Sequence, residues 1–157
     1  MIEIGTYSTC DKESVIALVL HCQNDGTRPL VGVEDQSDLL HIEEEYIYDG
    51  GNFWVAKENG KVAGTIGLMN KGNGLWKKIF VYEPYRGKPH NLGQQLYGVF
   101  LEFAKLHGFS RIILDTPKNT DRAHLFYEKA GFRRIEKEES KTFAGTKKTP
   151  RREDVSL

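Results

Sequence analysis

The feature that most restricts the fold is a pair of apolar strands joined by Asn59-Gly60. Phe53-Trp54-Val55-Ala56 precedes the dipeptide and residues 62–69 follow it, both rich in aromatic and β-branched side chains. Asn-Gly supplies the two positive-φ positions that a two-residue hairpin turn demands. A chain with such a hairpin near its middle must assemble an antiparallel sheet around it, which excludes a helical bundle. At roughly 100 to 200 residues per domain, the 157 residues make one domain spanning 1–157.

The flanking pattern extends that sheet and covers it. Ile2 and Ile4 alternate with Glu3 as a short first strand, and Val15, Leu18, Val19 and Cys22 recur at helical spacing within residues 14–23. Gly26, Pro29 and Gly32 break the pattern. Leu39, Ile42, Tyr46 and Ile47 then predict a second helix over 38–48, which Gly50-Gly51 ends. Residues 75–82 read as a further strand. Leu92, Leu96, Val99, Phe100 and Phe103 form one apolar stripe on a long helix that stops near Gly108. A short apolar strand at 111–114, a helix over 122–130 and a strand around 133–140 follow. The order β-α-α-β-β-β-α-β-α-β describes an α/β domain with a mixed, mostly antiparallel sheet and helices on both faces. Residues 145–157 are either a mobile arm or a final strand. In the second case only Val155 and Leu157 alternate as apolar residues, so the strand either pairs weakly or is completed by a second copy in a homodimer.

Charge and composition narrow the function. The chain carries 22 basic and 22 acidic residues, so it lacks the uniform positive field of a nucleic-acid or anionic-membrane binder. Residues 1–60 hold 12 acids and 3 bases, whereas 61–157 hold 10 acids and 19 bases; the two halves can present opposite signs to two different ligands. The apolar runs fall far short of the roughly 18 residues a membrane span needs, and the start of the chain is no signal peptide. A cytoplasmic location is the expectation. Cys10 and Cys22 make neither a disulfide framework nor a metal-type pair, and the five histidines are scattered, so no metal site is expected.

Two junctions carry chemistry. In the first, a strand ending at Val81 leads through Arg86-Gly87-Lys88 to a helix opened by Gly93. Free N–H groups, the helix dipole and two cations converge there, which suits a phosphate, although the same residues also make an ordinary solvated turn. The Gly-Lys-Ser/Thr of a nucleotide P-loop is missing. The second junction runs from Asn119-Thr120 into Ala123-His124-Leu125-Phe126-Tyr127-Glu128-Lys129-Ala130-Gly131-Phe132.

With these two motifs and this order of elements, the chain resembles the GNAT superfamily of coenzyme-A-dependent N-acyltransferases over about residues 2–140. The resemblance implies that Phe80 and Val81 offer backbone groups to the pantetheine arm of coenzyme A. It also implies that Arg86, Gly87, Lys88 and Gly93 surround the pyrophosphate and that Asn119 or Thr120 contacts the cofactor. The family's loop usually places its last glycine or alanine five residues after the arginine. Here Gly93 stands seven after Arg86, with Pro89-His90-Asn91 in between. Tyr127 falls where the family has a tyrosine that protonates the departing thiolate; a phenol with a reference pKa of about 10 is able to donate at neutral pH. As a residue alone, Tyr127 reads equally as a core aromatic.

The implied activity is transfer of an acetyl group from acetyl-coenzyme A to a primary amine by direct attack in a ternary complex. Neither cysteine lies in a motif, so no covalent enzyme intermediate is expected. The strand before the loop has no acid to serve as base; Glu83 and Asp115 are the substitutes, and both also read as solvated acids. Glu34, Asp35, Asp38, Glu43, Glu44, Glu45 and Asp49 form a stretch without Lys or Arg. It is either the outer face of the second helix or one wall of an acceptor groove, in which case the acceptor, a small molecule or peptide, is cationic. Two other readings remain: a non-catalytic acyl-coenzyme A sensor of the same fold, and a protein-interaction module using the basic residues near 147–152.

Overall fold

The computed structural model describes residues 1–24, 26, 30, 32–116, 128–129, 131–134 and 151–156. Among these residues, seven strands make one sheet: β1 (Ile2–Thr6), β2 (Asn52–Glu58), β3 (Lys61–Lys71), β4 (Asn73–Val81), β5 (Arg111–Thr116), β6 (Arg133–Arg134) and β7 (Arg151–Ser156). Their spatial order is β1-β2-β3-β4-β5-β7-β6. Every neighbouring pair is antiparallel except β4 with β5, which is parallel. The sheet is thus mixed and mostly antiparallel, as the sequence pattern implied.

The β2-β3 hairpin turns on Asn59 (φ 53°) and Gly60 (φ 81°), with Glu58 opposite Lys61. Both central residues are left-handed, the conformation that matches the twist of the flanking strands. Among the described residues, two long helices cover the sheet. The helix α1 (Lys12–Gln23) buries Val15, Leu18, Val19 and Cys22, the stripe read from the sequence. On the opposite face, α2 (Leu92–Leu106) buries Leu92, Leu96, Phe100 and Ala104.

The two faces have different cores. Under α2 lie Trp54, Ala56, Ile66, Leu68, Trp76, Val81, Ile112, Leu114 and Phe132. There Trp76 stacks on Tyr97 with ring centroids 4.7 Å apart, while Trp54 meets Phe103 edge-on at 5.2 Å. Under α1 lie Leu39, Ile42, Tyr46, Phe53, Val55, Met69, Leu75 and Ile113. Gly67 lets that second core close, since a Cβ there would stand 2.8 Å from Tyr46 and 2.9 Å from Phe53.

One sequence expectation changes. The second helix over 38–48 is not one helix: Ser37–Leu40 is a 3-10 turn, His41 leaves helical geometry, and Glu43–Ile47 is a single wide π-type turn. Its apolar residues Leu39, Ile42 and Tyr46 are buried as the periodicity required. Beyond these turns Gly51 passes tightly over β3, where a Cβ would meet the Leu68 carbonyl at 1.9 Å. Of the alternatives for residues 145–157, the structure shows a final strand, β7, which pairs with β5 over six residues. Backbone hydrogen bonding to a strand buried at Ile112, Ile113 and Leu114 compensates for the poor apolar alternation.

Candidate functional site

The central irregularity of the sheet lies where β4 leaves β5. Their pairing covers Gly74, Leu75 and Trp76, opposite Ile112, Ile113 and Leu114. Beyond that point β4 follows β3 and β5 follows β7, so the two strands diverge. The cause is a β-bulge. Gly67 faces Lys77 and Thr65 faces Phe80, so Lys78 and Ile79 together oppose Ile66. Lys78 takes φ 53°, unusual for a lysine, and its carbonyl accepts the Thr65 hydroxyl at 2.8 Å. A bulge bends its strand and raises the local twist, which opens a gap between β4 and β5.

Ladder geometry tells which groups face that gap. Tyr82 N–H donates to the Ala63 carbonyl at 3.0 Å, and Gly64 faces Val81. In an antiparallel ladder bonded and non-bonded pairs alternate. Phe80 therefore directs its N–H and C=O toward Thr65, and Val81 directs both of its own away from β3. Of the two residues expected to offer backbone groups there, Val81 is the one turned to the gap.

The Val81 carbonyl is already engaged. Arg86 Nε donates to it at 2.8 Å and the Cys22 thiol at 3.6 Å. The other end of the guanidinium reaches Cys22 Sγ at 3.6 Å and lies 3.9 Å from Glu83. Arg86 is therefore folded back onto the strand end, fixing the Val81 peptide and leaving its N–H as the available donor. Burial pushes the Cys22 thiol up, more than the Arg86 guanidinium pulls it down, so it stays protonated at neutral pH. Glu83 also accepts a hydrogen bond from His21 Nε2 at 2.9 Å, tying the end of α1 to the loop. Its own backbone and His21 hold the Glu83 carboxyl below the usual range.

After β4 the chain makes the 3-10 turn Glu83–Tyr85, then Gly87 at φ 65° and Asn91 at φ 47°. The longer loop closes on itself: Asn91 N–H donates to the Gly87 carbonyl at 2.6 Å, and Gln95 donates to the His90 carbonyl at 2.6 Å. The extra residues thus build a turn that still delivers the chain to α2. Asn91 precedes the helix and its carbonyl accepts from Gln94 and Gln95 at 3.1 and 3.2 Å. Leu92 and Gly93 follow as the first two helical residues, where N–H groups have no intrahelical acceptor and the dipole is positive.

On the α1 side of the bulge sits a polar cluster that the sequence reading did not assemble. Lys78 Nζ donates to Gln36 Oε1 and lies 3.8 Å from Asp38 Oδ2. Gln36 and Gln23 exchange hydrogen bonds of 2.9 and 2.5 Å. Tyr46 donates to Asp38 at 2.6 Å, and burial, reinforced by that carboxylate, holds the Tyr46 phenol well above its ordinary value. The available signal was Lys77-Lys78 interrupting an otherwise apolar strand, a break in alternation that marks a bulge. The acidic stretch is divided. Asp38 joins this cluster, Asp35 accepts from Gly32 N–H at 3.2 Å, and Glu43 accepts from the Tyr48 hydroxyl at 3.2 Å.

Asn119, Thr120 and Tyr127 lie outside the described residues. Lys88 occupies the turn between Gly87 and Asn91, and Asp115 lies on β5 opposite Arg152 of β7. Among the described residues, no group of three His, Cys, Asp or Glu side chains is placed to hold a metal, and no helix is long and apolar enough to cross a membrane.

A family model described as acetyltransferase (GNAT) family matches residues 17–132. The probable N-acetyltransferase camello of Xenopus tropicalis is 32% identical over 104 residues, covering 63% of this chain and 47% of that protein. N-acetylaspartate synthetase of Danio rerio is 30% identical over 118 residues, covering 73% and 41%. The chain thus spans less than half the length of these curated relatives. Among solved structures, an acetyltransferase from Streptococcus agalactiae superposes with a TM-score of 0.93 at 34% identity, covering 99% of this chain and 98% of that one. A PaiA N-acetyltransferase from Thermoplasma acidophilum in complex with coenzyme A shares the fold, with a TM-score of 0.75 at 16% identity and coverage of 100% and 99%.

Proposed function

This chain belongs to the acetyltransferase (GNAT) family, and from that premise we propose that it transfers an acetyl group from acetyl-coenzyme A to a primary amine at the gap between β4 and β5. The observation that carries the reading is the bulge at Lys78, which parts two parallel strands and turns the Val81 N–H into the opening. The gap and the loop beyond it fit an extended ligand with a phosphate end. The Val81 peptide supplies the strand edge, and Gly87, Lys88 and the N–H groups of Leu92 and Gly93 supply the phosphate end. Asn119 or Thr120 adds a contact from the second motif.

Bound there, acetyl-coenzyme A supplies an acyl group activated as a thioester. The chain's own residues orient it and move protons. Val81 N–H donates toward the acyl oxygen. Arg86 holds that peptide in place through the Val81 carbonyl, a positioning role in addition to its charge beside the pyrophosphate. Phe80 fixes the strand through its pairing with Thr65. Tyr127 hydroxyl gives its proton to the sulfur, and the proton lost from the amine returns through water to the phenolate, so the enzyme ends as it began.

The acceptor arrives as a cationic amine, drawn by Asp38 beside the bulge and by the exposed Glu34 and Asp35, and loses one proton to solvent before it attacks as the neutral amine. A cytoplasmic setting agrees with two free thiols. Tyr127→Phe tests the chemistry. Calorimetry should give wild type and variant similar micromolar affinity for acetyl-coenzyme A, about −7 to −8 kcal/mol. Turnover should fall about 100-fold in the variant. Equal turnover would leave Tyr127 as a packing residue.

A further inference from the structure

The last turn of α1 carries three consecutive side chains with three different partners. Gln23 exchanges hydrogen bonds with Gln36, the Cys22 thiol meets the Val81 carbonyl at 3.6 Å, and His21 Nε2 lies 2.9 and 3.2 Å from the two oxygens of Glu83. Gln36 directly follows the exposed Glu34 and Asp35, and Val81 is the strand end turned to the gap. This turn therefore stands between the acidic segment and the donor strand. Glu83 and Asp115 are the substitutes for the base that the strand lacks. Asp115 sits within the sheet opposite Arg152. The Glu83 carboxyl is held below the usual range by its own backbone and by His21, which makes it a weak proton acceptor and a good partner for an imidazolium. His21 has the chemistry that Glu83 lacks, since an imidazole takes and returns protons between about pH 5 and 8.

The ring is held from two sides, by the carboxylate on Nε2 and by Tyr82, whose ring centroid lies 5.3 Å away. With Nε2 donating to Glu83, the neutral imidazole carries its lone pair on Nδ1, and 52% exposure of the side chain lets water reach it. Among the described residues, the titratable and charged groups around it are Cys22 on α1 and Tyr82, Glu83 and Arg86 beyond β4, with Arg86 3.9 Å from the Glu83 carboxylate. We propose that His21 is the general base for the acceptor: through one water, Nδ1 takes the proton that the cationic amine must lose, and Glu83 is the positioning residue that holds the ring. The inference rests on the acetyl-transfer reading and supplies the route by which that proton reaches solvent. An ammonium and a neutral His21 become a neutral amine and an imidazolium. The imidazolium, stabilised by the Glu83 carboxylate, releases the proton to bulk water, and the amine nitrogen's lone pair then attacks the thioester carbonyl. The amine's second proton replaces the one that Tyr127 gives to the sulfur.

The test compares the full chain with His21→Ala across pH, using an alkylamine that the wild type accepts and thiol release as the readout. At pH 7 the variant should lose about 100-fold in turnover, the scale of a general base. The deficit should shrink to about tenfold or less near pH 10, where an alkylamine of pKa about 10 arrives partly neutral and needs no base. Added imidazole should restore part of the activity at pH 7, and acetyl-coenzyme A affinity by calorimetry should stay within about twofold of wild type. Glu83→Gln keeps an acceptor for Nε2 and removes the charge that stabilises the imidazolium; it should lose about tenfold at pH 7, again with a deficit that closes toward pH 10. Thermal melts establish that each variant is folded; if His21→Ala is not, the pH dependence of Glu83→Gln decides. A deficit equal at pH 7 and pH 10, or a loss of donor affinity that matches the loss of turnover, would overturn the role of His21 and leave the acetyl-transfer reading standing. Wild type that binds acetyl-coenzyme A and turns over no amine would overturn both.

Discussion

The two faces of the sheet are built from the same strands and differ in what they bury. Under α2 the contacts are apolar and largely aromatic, with Trp54, Trp76, Tyr97, Phe100, Phe103 and Phe132 in mutual ring contact. Under α1 the apolar core is flanked by charges and amides: Lys57 with Asp11 at one end and Lys78 with Asp38 and Gln36 at the bulge. The first face has little to offer a polar ligand and much to offer stability. The second gives up part of its apolar packing to hold charged groups in fixed positions beside an opening in the sheet. In this domain the fold is secured on one side so that the other side can hold strained and charged residues.

If that division is right, the largest stability effect belongs to the α2 face. Phe100 is fully buried and touches both tryptophans. Phe100→Ala should cost about 3 to 5 kcal/mol, read as a lower midpoint in urea, while residual folded protein keeps its affinity for acetyl-coenzyme A. A loss below about 1 kcal/mol would mean that the aromatic face is not the keystone described here.

Arg86→Ala addresses the other side. It removes the bond to the Val81 carbonyl and the neighbours of Cys22, so the strand end loses its lock. The expected outcome is a loss of about 1 to 3 kcal/mol in acetyl-coenzyme A affinity, with a much smaller change in stability than Phe100→Ala. Comparable losses in both would show that Arg86 holds the fold and not the site.

A smaller effect distinguishes the two ends of the α1 face. Burial pushes the Asp11 carboxyl up, but the hydrogen bonds from Lys57 and from Ser8 outweigh it and leave the group below its ordinary value. A carboxyl lowered by folding contributes stability above its unfolded pKa, near 3.9, and loses it as pH falls through the folded value. Asp11→Asn should therefore cost about 1 kcal/mol at neutral pH, and the gap to wild type should close in acid. A gap that stays constant from pH 7 to pH 2 would assign the loss to packing. Acetyl transfer should be unaffected, because Asp11 lies far along α1 from Cys22 and the strand end.

How much of this was legible in the sequence follows from how local each feature is. The hairpin at Asn59-Gly60, the buried stripe of α1 and the long stripe of α2 depend on spacing within one element, and each could be read directly. The strand-loop-helix junction at Arg86 and Gly87 was legible for the same reason. The anchoring of Arg86 on Cys22 was not, because Cys22 stands more than sixty residues away in the chain. The bulge was half-visible as Lys77-Lys78 among apolar neighbours. Its partners Gln23, Gln36 and Asp38 come from segments that only the folded chain brings together. The second helix failed in backbone but not in face, since Leu39, Ile42 and Tyr46 keep a helical spacing even where a 3-10 turn and a π-type turn carry them.

Whether the gap between β4 and β5 transfers acetyl groups or only binds the donor is decided by incubating the full chain with acetyl-coenzyme A and a panel of primary amines, measuring free thiol and acetylated amine in the same samples. The account predicts one acetylated amine for each thiol released, at a rate well above the enzyme-free control. Tight binding of acetyl-coenzyme A with neither product above that control would contradict it and make the chain a sensor of the same fold.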